Sequence, residues 1–232
     1  MQECFESVAI KRIKEVKGTN SLVGIYKMSE ELDGRDVVTL VGDFLLAGIE
    51  TSGNTMAFLL YELSKNPCMQ EILEKSVRGV GEINDGVLKR FQFGKAVIQE
   101  NFRLHPISVG VGRKLATNGV FSGYEIPAGT QIVTQNQISC RLEVFCPIKP
   151  NEFYPDRFLN KKERLHPFLS LPFGFGPRMC IGRRMAELSI QILLLRLAQN
   201  FHFEFNGNGP VGCKTFLINQ PDVPIKLKLY KK

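Results

Sequence analysis

Tryptophan is absent from this chain, and no apolar run in it is long enough to span a bilayer as a helix. Internal repeats and low-complexity segments are also missing. The balance of 44% hydrophobic and 23% charged residues, with a mean hydropathy of -0.05, excludes disordered, collagen-like and coiled-coil readings. The first residues, MQECFESVAIKRIKEVKG, carry Glu3, Glu6 and Glu15 among their bases. A mitochondrial transit peptide is poor in acids and a secretory signal needs an apolar stretch, so neither pattern is present and the chain reads as though it begins in mid-protein.

Cysteine is present but unorganised. Cys4, Cys68, Cys140, Cys146, Cys180 and Cys213 are widely scattered, which argues for reduced, intracellular thiols rather than a disulfide framework. Cys140, Cys146 and His166 match no common zinc-ligand spacing and lack a fourth partner. What remains is a 232-residue globular chain with a net charge of +7, an excess that suits an acidic partner, an anionic ligand or an anionic surface. Nothing points to nucleic acid.

Periodicity predicts a short amphipathic helix over 3–17, a connection to about 33, and a long helix over 36–66 that stops at Pro67. Further helices are expected over 67–78, 93–104 and 182–199. Residues 107–133 read as short strands with glycine-containing turns, and residues 142–177 as a long irregular stretch of the kind that is usually functional. Short strands and a lysine-rich tail finish the chain. The class is α+β, mainly α with small sheets.

Three local patterns carry chemistry. The long helix is apolar almost all round, as for a helix buried in a larger protein, yet its middle reads Ala47-Gly48-Ile49-Glu50-Thr51-Ser52-Gly53. A buried acid beside hydroxyls is costly, so either the helix breaks in two here or a distorted turn frees a hydroxyl to face a ligand. Glu100 and Arg103 share one helix face. They are either a solvated surface pair or, with Arg157 from the irregular stretch, a buried network that locks that stretch. In Phe173-Gly174-Phe175-Gly176-Pro177-Arg178-Met179-Cys180-Ile181-Gly182, the glycines permit close approach to a flat ligand and Arg178 can meet an anion. Cys180 precedes a helix start, which favours a thiolate; the alternative is an inert cysteine in a turn.

Together these patterns resemble the C-terminal half of a cytochrome P-450, a haem-thiolate monooxygenase. Ala47-Gly48-Ile49-Glu50-Thr51 resembles the oxygen-side motif, Glu100-x-x-Arg103 the core-helix motif, Phe153-x-Pro155-x-Arg157-Phe158 the meander motif, and residues 172–182 the haem loop. The resemblance implies that Cys180 is the axial metal ligand of haem and that Arg178 and Arg113 pair with its propionates. Phe173, Gly174 and Gly182 would shape the loop. Ala47 and Gly48 would keep the central helix close to the ring, while Thr51 and Glu50 would organise water and deliver protons to dioxygen. Glu100, Arg103 and Arg157 would lock the fold without chemistry of their own.

Residues 182–187 and 63–67 look most like the mitochondrial branch, which implies a mitochondrial location, with the endoplasmic reticulum membrane as the alternative. That branch takes NADPH-derived electrons from an acidic ferredoxin and oxidises lipophilic, steroid-like substrates. Lys95 matches a docking position of the branch, although Gln99 stands where a second base is expected. Lys161, Lys162, Arg164, Arg183 and Arg184 would form the docking surface or else a solvated basic face. Family members are about twice this length. The missing half would hold the tryptophan-bearing propionate clamp, most of the substrate pocket and any peripheral membrane contact. A non-catalytic fragment with weak or no haem binding is therefore the competing expectation. Residues 78–92 read unusually, and Asn101-Phe102 departs from the commoner small-polar and leucine pair.

Overall fold

In a computed structural model of the protein, residues 10, 11, 13, 15, 21–160 and 165–232 are described. The expected helix over 3–17 lies outside them, except that positions 10, 11, 13 and 15 are helical; Lys161, Lys162 and Arg164 also lie outside. The chain divides into two compact units, Met1–Gly53 and Asn54–Lys232.

The first unit contains α1 (Leu22–Lys27) and the start of α2 (Gly34–Lys65). Asp33 starts α2. Its Oδ1 accepts from the amides of Arg35 and Asp36 at 2.7 and 2.9 Å, while Asp36 Oδ2 accepts from the Asp33 amide at 3.0 Å. This reciprocal capping satisfies donors that the first turn leaves free. Helix α2 then runs without interruption through Gly48 and Gly53.

The expectation of a break or distorted turn at 48–55 is therefore overturned. Thr51 Oγ1 donates to the Ala47 carbonyl one turn earlier at 2.7 Å, a bond that a helical threonine makes without leaving the ladder. The reading of Glu50 as a buried acid also fails: Ile49 and Glu50 lie on an exposed part of the helix, so no desolvation cost arises. In this unit Val37 is the one fully buried residue of α2 among those described.

In the second unit the same helix becomes a core element. Met56, Leu59 and Leu63 pack with Leu73 of α3 (Pro67–Ser76) and Val77 that caps it, Val97, Ile98, Phe102 and Leu104 of α5 (Gln92–Leu104), and Ile190, Leu194, Leu195 and Ala198 of α7 (Arg183–Asn200). Pro67 ends α2 and occupies the first turn of α3, where its missing amide hydrogen costs nothing. Residues 78–92 hold a short helix, α4 (Asp85–Arg90), capped by Asn84 through a 3.1 Å bond from the Val87 amide. Helix α6 (Asn136–Ser139) follows the first strands.

The strands form four separate antiparallel pairs. They are β1 (Val111–Lys114) with β4 (Gln131–Thr134), β2 (Gly119–Phe121) with β3 (Tyr124–Ile126), β5 (Phe201–Phe205) with β8 (Leu227–Lys231), and β6 (Cys213–Thr215) with β7 (Asn219–Pro221). Ser122 and Gly123 join β2 to β3 with φ of 50° and 85°, the two left-handed positions of a type I′ turn. The irregular stretch contains two 3₁₀ turns, Pro155–Phe158 and Gly176–Arg178.

Gln70 ties α3 to β5 in place of a neighbouring strand. Its Nε2 donates to the Phe203 carbonyl at 2.9 Å and its Oε1 accepts from the Phe203 amide at 2.7 Å, all buried. Gln70→Leu leaves both backbone groups unpaired, each costing about 1–3 kcal/mol. A drop of that order in urea-unfolding free energy is expected, and a drop well under about 1 kcal/mol would show that the pair is solvated or dispensable.

Candidate functional site

The site is assembled on α5, whose Glu100, Asn101 and Arg103 are completely buried. Glu100 receives two guanidinium groups. Arg103 donates to it from Nε at 2.8 Å and from Nη2 at 2.7 Å, and Arg157 donates from Nε at 3.0 and 3.1 Å to its two oxygens. The Tyr154 amide adds a fifth bond at 2.9 Å. Of the two readings open for Glu100 and Arg103, the geometry is that of the buried network.

The remaining donors of both arginines go to the irregular chain. Arg103 reaches the carbonyls of Cys140, Pro150 and Glu152 at 3.0, 2.6 and 3.1 Å. Arg157 reaches those of Ile148 and Lys149 at 2.5 and 2.8 Å, and Cys146 Sγ at 3.1 Å. Burial works against the Arg103 cation, but the bonded Glu100 carboxylate more than compensates and holds its pKa above the ordinary value. Burial likewise pushes the Cys140 thiol up to about 11, against the opposing pull of Arg103 and Arg141. Cys140 donates to the Leu169 carbonyl at 2.7 Å, so it is a neutral structural thiol at physiological pH.

From Leu169 the chain enters the cysteine loop. Phe173 meets Phe102 of α5 edge-to-face at 5.3 Å, and its carbonyl accepts from the Cys180 amide at 2.8 Å. Gly174 and Gly176 take φ of 73° and 77°, a left-handed geometry that side chains resist, so glycine is needed at both turns. Arg113 of β1 clamps the loop by donating from Nη2 to the Phe175 carbonyl at 2.9 Å. Arg178 ends the second 3₁₀ turn and is exposed.

Cys180 is a free, exposed thiol immediately before the turn into α7. A Cβ on Gly182 would stand 3.8 Å from its Sγ, an ordinary van der Waals distance, so Gly182 is a close neighbour of the sulfur. Around it Phe175, Met179 and Ile181 expose 64%, 39% and 76% of their surface. A soft sulfur donor, an apolar apron and two exposed cations form a donor set that fits a flat, carboxylate-bearing macrocycle with a thiolate-ligated metal. Ala47, Gly48, Glu50 and Thr51 lie in the first unit and are described only there.

Sequence reasoning missed several partners. Cys140 and Cys146 looked like incidental thiols, and nothing in the pattern marked them as contacts of the arginines. His105, expected only as a helix stop, stacks on Phe58 at 4.4 Å and bonds Glu62 through Nε2 at 2.6 Å. Proline after His105 was the one signal that a special position lay there.

Comparison with known proteins agrees with this geometry. The cytochrome P450 family model matches residues 3–229. The chain is 43% identical to Cytochrome P450 302a1, mitochondrial, of Drosophila melanogaster over 98% of its own length and 49% of that protein's. It is 32% identical to Cytochrome P450 CYP12A2 of Musca domestica, covering 98% of this chain and 46% of that protein. It is 36% identical to Probable cytochrome P450 CYP44 of Caenorhabditis elegans, covering 86% of this chain and 40% of that protein.

The chain belongs to the cytochrome P450 family. It spans about half the length of the curated relatives it matches. Membership implies haem with an axial thiolate as cofactor, and the cysteine loop fits that group.

Two ion pairs of equal length separate burial from distance. Glu100–Arg103 and Glu71–Lys75 are both 2.7 Å, the first with both side chains at 0% exposure, the second at 64% and 61%. Glu100→Gln is expected to cost about 3–5 kcal/mol in urea unfolding, because two buried cations lose their counter-charge. Glu71→Gln should leave the midpoint unchanged. Equal effects of the two would show that the buried group contributes no more than a surface pair.

Proposed function

We propose that this chain is the haem-ligating part of a mitochondrial-type monooxygenase that inserts one atom of dioxygen into a lipophilic, steroid-like substrate. The observation that carries the reading is Cys180: an exposed sulfur on a doubly left-handed glycine loop, anchored by its own amide. When bound, haem would supply the redox chemistry that activates dioxygen, and Cys180 would be the residue that holds it through its thiolate.

The chain's own residues bind, orient and relay protons. Cys180 holds the cofactor, Arg178 and Arg113 hold its carboxylates, and Phe173 braces the loop. Thr51 exchanges its hydroxyl bond to the Ala47 carbonyl for one to water, and Glu50, exposed one position earlier, brings protons to it. Ala47 and Gly48 leave the helix surface low beside them. Electrons come from NADPH through an acidic ferredoxin, which docks on a surface that includes the exposed Arg183 and Arg184. The mitochondrial location rests on relatives such as the Drosophila protein whose name states it.

The test is spectroscopic. The purified chain is loaded with haem, reduced and exposed to carbon monoxide. A red-shifted Soret band that disappears in Cys180→Ala supports the assignment. A band that survives the substitution overturns ligation by Cys180, and the absence of any band in the unsubstituted chain favours a non-catalytic fragment.

A further inference from the structure

Helix α7 starts against the usual electrostatic rule. Its first turn contains no acid, and its first two residues are the exposed Arg183 and Arg184. A helix N-terminus carries about half a positive charge, so a cation placed there is disfavoured. Residues that break a local rule do so for a reason elsewhere in the structure. The two arginines have different reasons.

Arg183 is occupied. Its Nε donates to Glu187 Oε1, one turn further on, at 3.1 Å, and its guanidinium carbon stands over the Phe173 ring, 5.9 Å from the centroid. Its amide donates to the Cys180 carbonyl at 3.4 Å. Phe173 in turn takes the Cys180 amide on its own carbonyl and packs its ring edge-to-face on Phe102. Arg183 thus meets Cys180 on both sides: at the carbonyl directly, and at the amide through Phe173. The bond to Glu187 contributes little alone, since both side chains reach solvent, but it aims the guanidinium at the ring. The side chain of Arg184, by contrast, has no hydrogen bond, ion pair or ring contact among the described residues.

We infer that the two arginines divide the work at the start of α7. Arg183 is a positioning residue that holds the Phe173 brace, and with it the Cys180 amide, while Arg184 is the charge left open to an acidic protein partner. The inference rests on the proposed function for the ligand role of Cys180 and for the acidity of the partner. The grip on Phe173 stands apart from both.

Two variants separate the roles. Arg183→Gln combined with Glu187→Gln removes the pair and leaves the net charge as it was; Arg184→Gln removes one open charge. Hydrogen–deuterium exchange is read at the Cys180 amide, and binding of poly-L-glutamate, the acidic probe, is read at low and high salt. In the double variant the Cys180 amide should exchange about two- to fivefold faster, the range that a cation–π contact at an exposed site supports, with probe binding unchanged. In Arg184→Gln the exchange should be unchanged and probe binding about two- to fivefold weaker at low salt, a difference lost at high salt. Adding Phe173→Leu to both chains tests the route: the effect of the double variant on the Cys180 amide should vanish once the ring is gone.

In the haem-loaded chain, the double variant should show a smaller share of the red-shifted carbon monoxide band, and Arg184→Gln the full share. Unchanged exchange in the double variant, or an effect that persists without the Phe173 ring, overturns the positioning role of Arg183. Equal loss of probe binding in the two variants, or no binding by the unsubstituted chain, overturns the division of work. If haem fails to bind even the unsubstituted chain, the proposed function falls, and the exchange data still decide the grip on Phe173 on their own.

Discussion

One buried carboxylate organises the second unit. Glu100 sits where water cannot reach it and accepts from both Arg103 and Arg157, leaving the cluster with one positive charge in excess. Five backbone carbonyls between Cys140 and Glu152 absorb that excess. This arrangement solves the problem of the irregular stretch as well. Chain without a helix or sheet ladder must still pair its buried polar groups, and here two planar guanidinium forks do the pairing. Neither half of the bargain is stable alone: without the carbonyls the cations are underpaired, and without the cations the carbonyls are orphaned.

The consequences extend to the cysteine loop through short, named contacts. Arg103 fixes the Cys140 carbonyl, Cys140 Sγ fixes Leu169, Phe102 braces Phe173, and the Phe173 carbonyl fixes the Cys180 amide. Arg113 adds a clamp from the β1–β4 pair. The proposed role of Cys180 as a metal ligand requires this rigidity, because a sulfur displaced by an ångström offers the wrong geometry. Helix α5 thus acts as a distributor, sending its charged side chains to one neighbour and its Asn101 amide, with the imidazole of His105 that caps it, to another.

Much of this was legible in the sequence because the relevant signals were local. Pro67 marked the end of α2 and His105-Pro106 the end of α5, since proline restricts the residue before it and cannot donate. The glycine loop around Cys180 and the spacing of Glu100 to Arg103 were equally local. The failures were of a different kind. Gly48 and Gly53 lower helix propensity, but the neighbouring residues carry the helix through them, and Thr51 stays bonded within it. Whether Glu100 was solvated or buried depended on Arg157 and Tyr154, more than fifty residues away. Gln70 and Asn101 resemble surface amides in any window, and only tertiary packing turns them into buried fasteners. Helix α4 fell in a segment too short and too polar for periodicity to register.

The central claim is that Glu100 and Arg157 act as one unit, so their coupling energy tests it most directly. A double-mutant cycle with Glu100→Gln and Arg157→Leu, read by urea unfolding, isolates that term from the packing each side chain loses. A coupling of about 2–3 kcal/mol is expected, near the upper end for residues sharing one buried network. Additive effects, with coupling within about 0.5 kcal/mol of zero, would contradict the account.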